Sequence, residues 1–404
     1  MNQTVKRMSV LMTTAFVDMI GFAMVFPLLP FYALRLEAQE WMIGWMIASF
    51  SIAQLASAPL WGRLSDRYGR RGAILFGLAM SAVAFVVFGL AANLWMLFLS
   101  RAVQGFGGGT TGVLQAYVSD VTQPRDRAKA LGWLSASTAA GVMIGPGIGS
   151  LAFNLGPAAP GLIAAALCLV NIAFAARWLP ESRPRAARGD GVLDPATQET
   201  IRPVRAVVFE FVRSPRGDVA RLVWIYAVGM LGFMSMTAVL ALYLEHNFGI
   251  TERTIGVFFI YVGALGVVMR ALVLGRLVDA LGETRVMRIG ALLLTIGLLA
   301  IPLPRGVISL GVVISLIPIG TACLFPAVTA LVTHRIRDDE RGQILGVQQT
   351  FGGVARVVAP IWATAAFQGL GVAVPFYIAG LVVGVVTLLA FRVRPVAVAE
   401  AIAD

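Results

Sequence analysis

Residues 72–92 read GAILFGLAMSAVAFVVFGLAA and contain no charged side chain. An α-helix of about 20 such residues is long enough to cross the hydrocarbon core of a bilayer. Comparable apolar runs recur along the whole chain, separated by short polar breaks. The sequence therefore predicts an all-α integral membrane protein of about twelve transmembrane helices. The predicted spans cover 8–34, 42–62, 72–92, 94–120, 130–152, 160–178, 222–245, 255–276, 286–303, 307–333, 343–367 and 371–391.

The composition excludes a soluble globular protein. Of the 404 residues, 58% are hydrophobic and only 13% are charged, whereas soluble domains carry about 25% charged residues. The net charge of +11 comes largely from arginines in short loops, which indicates membrane topology and no nucleic-acid partner. Cys168 and Cys323 lie in apolar runs without metal-ligand spacing, so no metal site is expected.

The distribution of Lys and Arg predicts the orientation in the membrane. One set of loops holds most of the basic residues, while the opposite set holds only Arg35, Arg253 and Arg305. Because basic loops stay on the cytoplasmic side, both termini are predicted to be cytoplasmic. A bacterial inner membrane is the expected location, with membrane lipids as partners and a monomer as the expected state.

The chain is predicted to have two halves, 1–178 and 222–404, each with six helices. Residues 179–221 are rich in Arg, Pro and acidic residues and are read as a cytoplasmic linker, in which 204–213 form a short interfacial helix. The alternative is a disordered tether with no further function.

A repeat supports this division. The sequence GRLSD at 62–66 recurs as GRLVD at 275–279, and DRAKALG at 126–132 recurs as ERGQILG at 340–346. The separation from Gly62 to Gly275 and the separation from Gly132 to Gly346 differ by a single position. Two motifs at nearly one separation indicate parallel repeats of a two-halved transporter.

The loop at 62–71 reads GRLSDRYGRR, and we refer to it as the signature loop. Gly62 is expected to allow close helix packing, Gly69 a tight turn, and Asp66 a bond to a nearby Arg or a place at a helix N-terminus. These features predict a cytoplasmic gate; a basic turn that only fixes topology is the alternative. The predicted gate residues are Gly62, Asp66, Arg67, Gly69, Arg70, Arg71, Asp120 and Asp279.

Two charges lie deep inside predicted spans. Asp18 interrupts the first apolar run, where an unpaired carboxylate is costly unless it is protonated part of the time or faces a wet cavity. This is what a proton-coupling site requires; a permanent structural bond between helices is the alternative. Arg101, in the fourth span, keeps its charge and can stabilise a carboxylate or bond backbone carbonyls. The sequence does not decide whether Asp18 and Arg101 touch.

Four motifs resemble those of the major facilitator superfamily. They are the signature loop, LFLSRAVQGFGGG at 97–109, GVMIGPGIGS at 141–150, and the pair DMIG at 18–21 and PLLP at 27–30. The third is similar to the motif of proton-driven antiporters, with Ser150 at a position where glycine is usual. The pair at 18–30 resembles the multidrug and tetracycline exporter branch.

This resemblance implies two six-helix bundles that work by alternating access. It implies proton coupling through Asp18 and Arg101, and sealing of the outer half by Gly141, Gly145, Pro146 and Gly149 in the fifth span. Tetracycline exporters of this branch are expected to carry further carboxylates in the third and ninth spans. Residues 72–92 and 286–303 contain none, so tetracycline is not predicted as the substrate.

The substrate is predicted to be a small lipophilic or amphipathic organic molecule. Apolar, aromatic and adaptable Met side chains suit such a molecule better than a sugar. The alternative is that most of these residues face lipid or pack between helices. Arg356 could meet an anionic substrate group or a carboxylate. The candidate residues are Phe22, Phe26, Gln54, Gln115, Tyr226, Phe233, Met234, Gln348, Gln349 and Arg356.

The predicted function is proton-coupled efflux, with the proton gradient as energy source and no cofactor. No Gly-rich lysine loop for ATP and no combination of nucleophile and base is present, so no enzyme is expected. The alternatives are a proton-linked lipid or lysolipid flippase, an uncoupled importer or uniporter, and a membrane sensor or scaffold without flux.

Overall fold

The computed structural model describes residues 3–123, 126–182, 204–213, 217–337 and 340–393, which are helical with no strand. Helices occupy all twelve predicted positions. The first six spans are Gln3–Val25 continuing through Phe26–Leu28 to Leu29–Arg35, Glu40–Tyr68, Arg70–Gly89, Leu94–Gly108 with Thr111–Val121, Arg127–Phe153 and Ala159–Trp178. The other six are Asp218–Phe248, Ile255–Val268 continuing through Met269–Val273 to Leu274–Leu281, Glu283–Ala300, Val307–Ile314 with Leu316–Thr333, Arg341–Leu370 and Val374–Phe391.

The prediction of an all-α membrane fold is confirmed. Within the described residues, ten helices are long and apolar enough to cross a membrane. Of the other two spans, the fourth is broken after Gly108 and the ninth contains three charged residues. Large apolar side chains point outward, for example Trp95 at 81% and Ile308 at 87% exposure. Such a surface is stable against lipid and not against water.

Three spans contain local irregularities that the sequence analysis did not predict. The first turns into a 3-10 helix at Phe26–Leu28, where Pro27 lacks the N–H of a regular turn. The fourth is interrupted between Gly108 and Thr111 after a run of three glycines, the weakest helix formers except proline. The eighth contains the π-helical turn Met269–Val273.

The chain forms two compact units. Unit 1 consists of Met1–Leu193 and Leu240–Val267, and unit 2 consists of Asp194–Val239 and Val268–Asp404. Leu240–Val267 belongs to the second half of the sequence but packs with the first. The boundaries 1–178, 179–221 and 222–404 remain a prediction from the sequence. Of the predicted linker, 183–203 and 214–216 lie outside the described residues.

The predicted linker helix is present at Val204–Arg213. Its Phe211 is buried with Ala220, Val223 and Val347 in a small core of unit 2. The indole N–H of Trp224 donates a 3.0 Å hydrogen bond to the Phe211 carbonyl. These contacts attach the linker helix to the seventh and eleventh spans.

Candidate transport and gating sites

Asp18 lies in the middle of the first span and is half-buried. The span is held in place from the sixth span, where Asn171 donates a 2.9 Å hydrogen bond to the Thr14 carbonyl one turn before Asp18. Among the described residues no ion pair is formed by Asp18.

Arg101 is 2% exposed in the fourth span. Its guanidinium carbon lies 5.3 Å from the centroid of the Phe88 ring, so the aromatic face provides part of its stabilisation. Nε and Nη2 are buried and have no hydrogen-bond partner within the described part of the chain. Arg101 and Asp18 do not form an ion pair in this structure, which answers the question that the sequence left open.

Arg70 is the centre of the predicted cytoplasmic gate. Its Nη2 lies 2.7 Å from Asp66 Oδ1, and its Nε lies 3.3 Å from Asp120 Oδ2. Nη1 donates a 2.6 Å hydrogen bond to the Ser65 hydroxyl. Asp66 therefore pairs with an Arg, one of the two roles considered for it. The structure brings Asp66, Arg70 and Asp120 into one network between the second, third and fourth spans.

Glu181, just after the sixth span, joins this gate and was missed by the sequence analysis. Its carboxylate accepts hydrogen bonds from the backbone N–H groups of Arg70 at 2.9 Å and of Arg71 at 3.3 Å. These are the first N–H groups of the third span, which have no partner within the helix and favour a negative charge. Only the sequence PES at 180–182 following an apolar span hinted at this contact.

The second repeat contains a related pair with its charges exchanged. Glu283 Oε2 lies 3.0 Å from His334 Nδ1. Glu283 occupies the position in the second repeat that Arg70 occupies in the first, and His334 occupies the position of Asp120. The separations in sequence are the same as those of the two repeated motifs. The cation of the first pair thus corresponds to the anion of the second. The imidazole carries its charge only when it is protonated.

The remaining gate residues differ in what surrounds them. Gly69, where a tight turn was predicted, has φ +101° between the second and third spans, and Gly282 has φ +76° at the related turn. An ideal Cβ at Gly62 would meet no atom of the described residues within 4 Å, so the close helix packing expected there is not found. Arg67 lies over the Tyr68 ring at 5.6 Å, and Asp279 is exposed.

The glycines of the fifth span face the first span. An ideal Cβ would lie 2.5 Å from the Phe16 carbonyl oxygen at Gly141 and 2.6 Å from Ala23 Cβ at Gly145. At Gly149 it would collide with the Met24 carbonyl. Since the three glycines are four residues apart, they form one face on which the two backbones meet.

A second face of the fifth span contacts the eighth span. A Cβ at Gly256 would lie 2.5 Å from the Pro146 carbonyl oxygen, and one at Gly263 would lie 3.2 Å from Met143 Cα. The Gly256 backbone N–H donates a 2.9 Å hydrogen bond to the Ser150 hydroxyl. The antiporter motif therefore packs against two helices of unit 1.

An ion pair lies at the end of unit 1 that is opposite to the signature loop. Arg35 Nη2 at the end of the first span lies 2.6 Å from Glu252 Oε1 in the loop before the eighth span. The Arg35 guanidinium carbon lies 4.7 Å from the centroid of the Phe153 ring. Arg35 and Glu252 were not predicted as gate residues, because a contact between residues so far apart in sequence has no local signal.

The substrate candidates of unit 1 gather around Phe22. Its ring centroid lies 5.7 Å from that of Phe26 and 5.3 Å from that of Phe50 in the second span. Gln54 donates a 3.2 Å hydrogen bond to the Gly108 carbonyl and so joins the second and fourth spans. Gln115 is exposed.

The candidates of unit 2 form a second group. The Tyr226 and Phe325 ring centroids lie 5.3 Å apart, and those of Phe233 and Phe325 lie 6.4 Å apart. Gln348 is fully buried and donates a 2.8 Å hydrogen bond to the Thr329 hydroxyl, so it joins the tenth and eleventh spans. The other members are half-buried or exposed: Met234, Gln349 and Arg356.

Two proteins of related sequence match most of the chain. The chain is 27% identical over 385 residues to multidrug resistance protein 2 of Bacillus subtilis, covering 92% of this chain and 91% of that protein. It is 26% identical over 357 residues to the class B tetracycline resistance protein of Escherichia coli, with 85% and 84% covered. These relatives are transporters and not enzymes.

Solved structures share this fold. A crystal structure of the nucleoside transporter NupG superposes with a TM-score of 0.78 at 15% identity, covering 96% of this chain and 99% of that one. The sequence profile of the Major Facilitator Superfamily matches residues 11–360 and, in a second match, 224–403. Because this match spans most of its length, the chain belongs to the Major Facilitator Superfamily.

Proposed function

We propose that this transporter exports a lipophilic or amphipathic small molecule in exchange for protons. The multidrug and tetracycline resistance proteins among its relatives support efflux. The half-buried Asp18 supports proton coupling, and it is the observation on which the proposal depends. The proposed orientation has both termini in the cytoplasm, in a bacterial inner membrane, with the chain acting as a monomer.

Asp18 has the properties that a proton carrier needs. A carboxylate inside an apolar span without an ion-pair partner is stable when it is protonated or when water reaches it. Its protonation state can therefore change when the side from which it is accessible changes. The transported molecule must bind one state of this cycle better than the other, since only differential binding shifts the conformational balance.

Arg101 is proposed to assist this step as a fixed positive charge. It is buried beside Phe88 with two unpartnered nitrogen atoms. A buried guanidinium without hydrogen bonds is costly, so it is available for an anionic or polar partner in another state of the cycle. We propose that it stabilises the ionised form of a carboxylate in that state.

A ligand screen on the purified protein tests the proposal. Thermal unfolding is recorded at pH 6 and pH 8 with a panel of amphipathic compounds, for wild type, Asp18→Asn and Asp18→Glu. We expect ligands that stabilise the wild type with a dependence on pH, which Asp18→Asn loses and Asp18→Glu retains. Ligand binding with the same pH dependence in Asp18→Asn would contradict the role of Asp18.

A further inference from the structure

Arg356 is an arginine in the middle of a membrane span. It lies in the centre of the eleventh span, Arg341–Leu370, about 20 Å from either end at 1.5 Å per residue. The side chain is too far from the ends to reach water along the helix. Its Nε is buried and has no hydrogen-bond partner within the described residues. An ionisable group at this depth marks a functional site unless a partner neutralises it.

No acidic residue of unit 2 can be that partner among the residues that the structure describes. Its described carboxylates lie in the linker helix or near the ends of other helices. They are Glu210, Asp218, Asp279, Glu283 and Glu340. The spans of unit 2 therefore carry a positive charge at mid-depth that none of the carboxylates described for this unit balances.

The face of the helix that carries this charge also carries a polar side chain and a glycine. Gln349, Gly352 and Arg356 follow each other at intervals of three and four residues, which places them on the same side of the eleventh span. An ideal Cβ at Gly352 would lie 2.8 Å from Tyr226 Cε1, so the Tyr226 ring lies directly over the helix backbone. The Tyr226 ring therefore lies beside the helix face that carries Gln349 and Arg356.

An aromatic wall continues from Tyr226. Phe325 meets Tyr226 edge to face at an interplanar angle of 64° and Phe233 at 66°. Phe325 and Phe233 are only half-buried, so their surfaces remain partly available. One end of the group is thus polar and positive, and the other is aromatic.

We propose that this group binds an amphipathic organic anion. Arg356 holds the carboxylate, sulfonate or phosphate of the ligand, with Tyr226 and Gln349 as neighbouring hydrogen-bond groups, and Phe325 and Phe233 receive its apolar body. An organic cation is disfavoured, because it would add a second positive charge at the same depth. The inference rests on the proposed export function and names the substrate class.

Three compounds with one aromatic body and different charge test the inference. They are 2-naphthoxyacetate, the neutral 2-naphthoxyethanol and the cationic 2-(2-naphthyloxy)ethylamine. Their affinities for the purified full chain are measured by isothermal titration calorimetry in detergent, with empty micelles subtracted. We expect the anion to bind at least about tenfold more tightly than the alcohol, the value of one hydrogen bond to a charged group.

Variants assign this preference to Arg356. Arg356→Gln should lose it, and Arg356→Lys should keep most of it, since a charge remains. Arg270→Gln is the matched control: it removes another arginine of unit 2, an exposed one in the π-helical turn Met269–Val273 of the eighth span, and should leave the preference unchanged. The inference is overturned if wild type binds none of the three, binds alcohol or amine as tightly as the anion, or if the preference survives Arg356→Gln.

The outcome can be separated from that of the proposed function. Asp18→Asn should keep the preference for the anion although it abolishes proton-driven flux. Anion-selective binding without proton-driven flux would contradict proton coupling and leave the anion site standing. Proton-driven flux without anion selectivity would contradict the anion site and leave proton coupling standing.

Discussion

The backbone N–H of Gly256 donates a 2.9 Å hydrogen bond to the hydroxyl of Ser150. Gly256 is the second residue of its helix, where N–H groups lack an intrahelical partner. Its neighbours Ile255 and Val257 donate to carbonyls of the preceding loop, those of Thr251 and Thr254. Ser150 replaces the glycine that is usual in the antiporter motif, and its hydroxyl supplies the acceptor that a glycine would lack.

The first prediction concerns this bond. Ser150→Ala leaves the buried N–H of Gly256 without an acceptor, which costs about 1–3 kcal/mol, so the thermal unfolding midpoint should fall. Ser309→Ala is the control, because the exposed Ser309 only donates to the carbonyl of Gly306 one turn earlier. Equal midpoints for the two variants would show that the contact does not stabilise unit 1.

A second prediction concerns the packing of the first and fifth spans. Gly145→Ala brings a methyl group to 2.6 Å from Ala23 Cβ and 2.8 Å from the Ile20 carbonyl oxygen. The spans must move apart, at a cost of about 1–3 kcal/mol, and the unfolding midpoint should decrease.

Gly132→Ala serves as the control in the same helix. A Cβ at Gly132 meets no described atom within 4 Å, and alanine favours a helix over glycine by about 0.5–1 kcal/mol. This variant should be at least as stable as wild type. If Gly145→Ala were as well tolerated as Gly132→Ala, close backbone packing would not hold the two spans together.

The third prediction concerns the cap that Glu181 forms on the third span. Glu181→Ala removes the acceptor of the Arg70 and Arg71 N–H groups, and loss of a helix cap costs about 0.5–2 kcal/mol. Hydrogen exchange should become faster over residues 69–75 and remain unchanged in the fifth span. Glu40→Ala, at the start of the second span on the opposite face, should not affect 69–75. Unchanged protection at 69–75 in Glu181→Ala would contradict the cap.

The fourth prediction uses the exchanged charges of the two repeats. Glu283→Arg alone should lower stability, since it removes the partner of His334. Adding His334→Asp places an Arg and an Asp where the first repeat has Arg70 and Asp120, and stability should recover. The pair is partly exposed, with 50% and 21% of the side chains accessible, so the coupling is expected to be about 0.2–1 kcal/mol. A double-mutant cycle measures it, and strictly additive effects would contradict the prediction.

The helices were predictable because their signal is local. An apolar run of sufficient length forms a helix in a bilayer whatever the remainder of the chain does, since each backbone group bonds within its own segment. Helix ends were less accurate: the seventh span was predicted at 222–245 and extends over Asp218–Phe248. The break after Gly108 and the turn at Met269–Val273 were not predicted, because helix propensity alone does not say at which glycine or apolar residue a helix becomes irregular.

The candidate site was predictable in its residues and less so in its contacts. The signature loop indicated Asp66 and Arg70, and the end of the fourth span indicated Asp120; the three residues meet in one network. Glu181, Glu252 and the Ser150–Gly256 bond were missed, because these residues find their partners across helices distant in sequence. The separation of Arg101 from Asp18 was unreadable for the same reason, as helix rotation decides which side chains face each other.

The central claim is that a proton bound at Asp18 is exchanged for the transported molecule. Its most direct test is flux in proteoliposomes that contain the purified chain, loaded with a ligand from the screen, under an imposed pH gradient at zero membrane potential. The account predicts ligand movement that depends on the gradient in wild type and in Asp18→Glu, and counterflow without response to the gradient in Asp18→Asn. Undiminished gradient-driven flux in Asp18→Asn would contradict it.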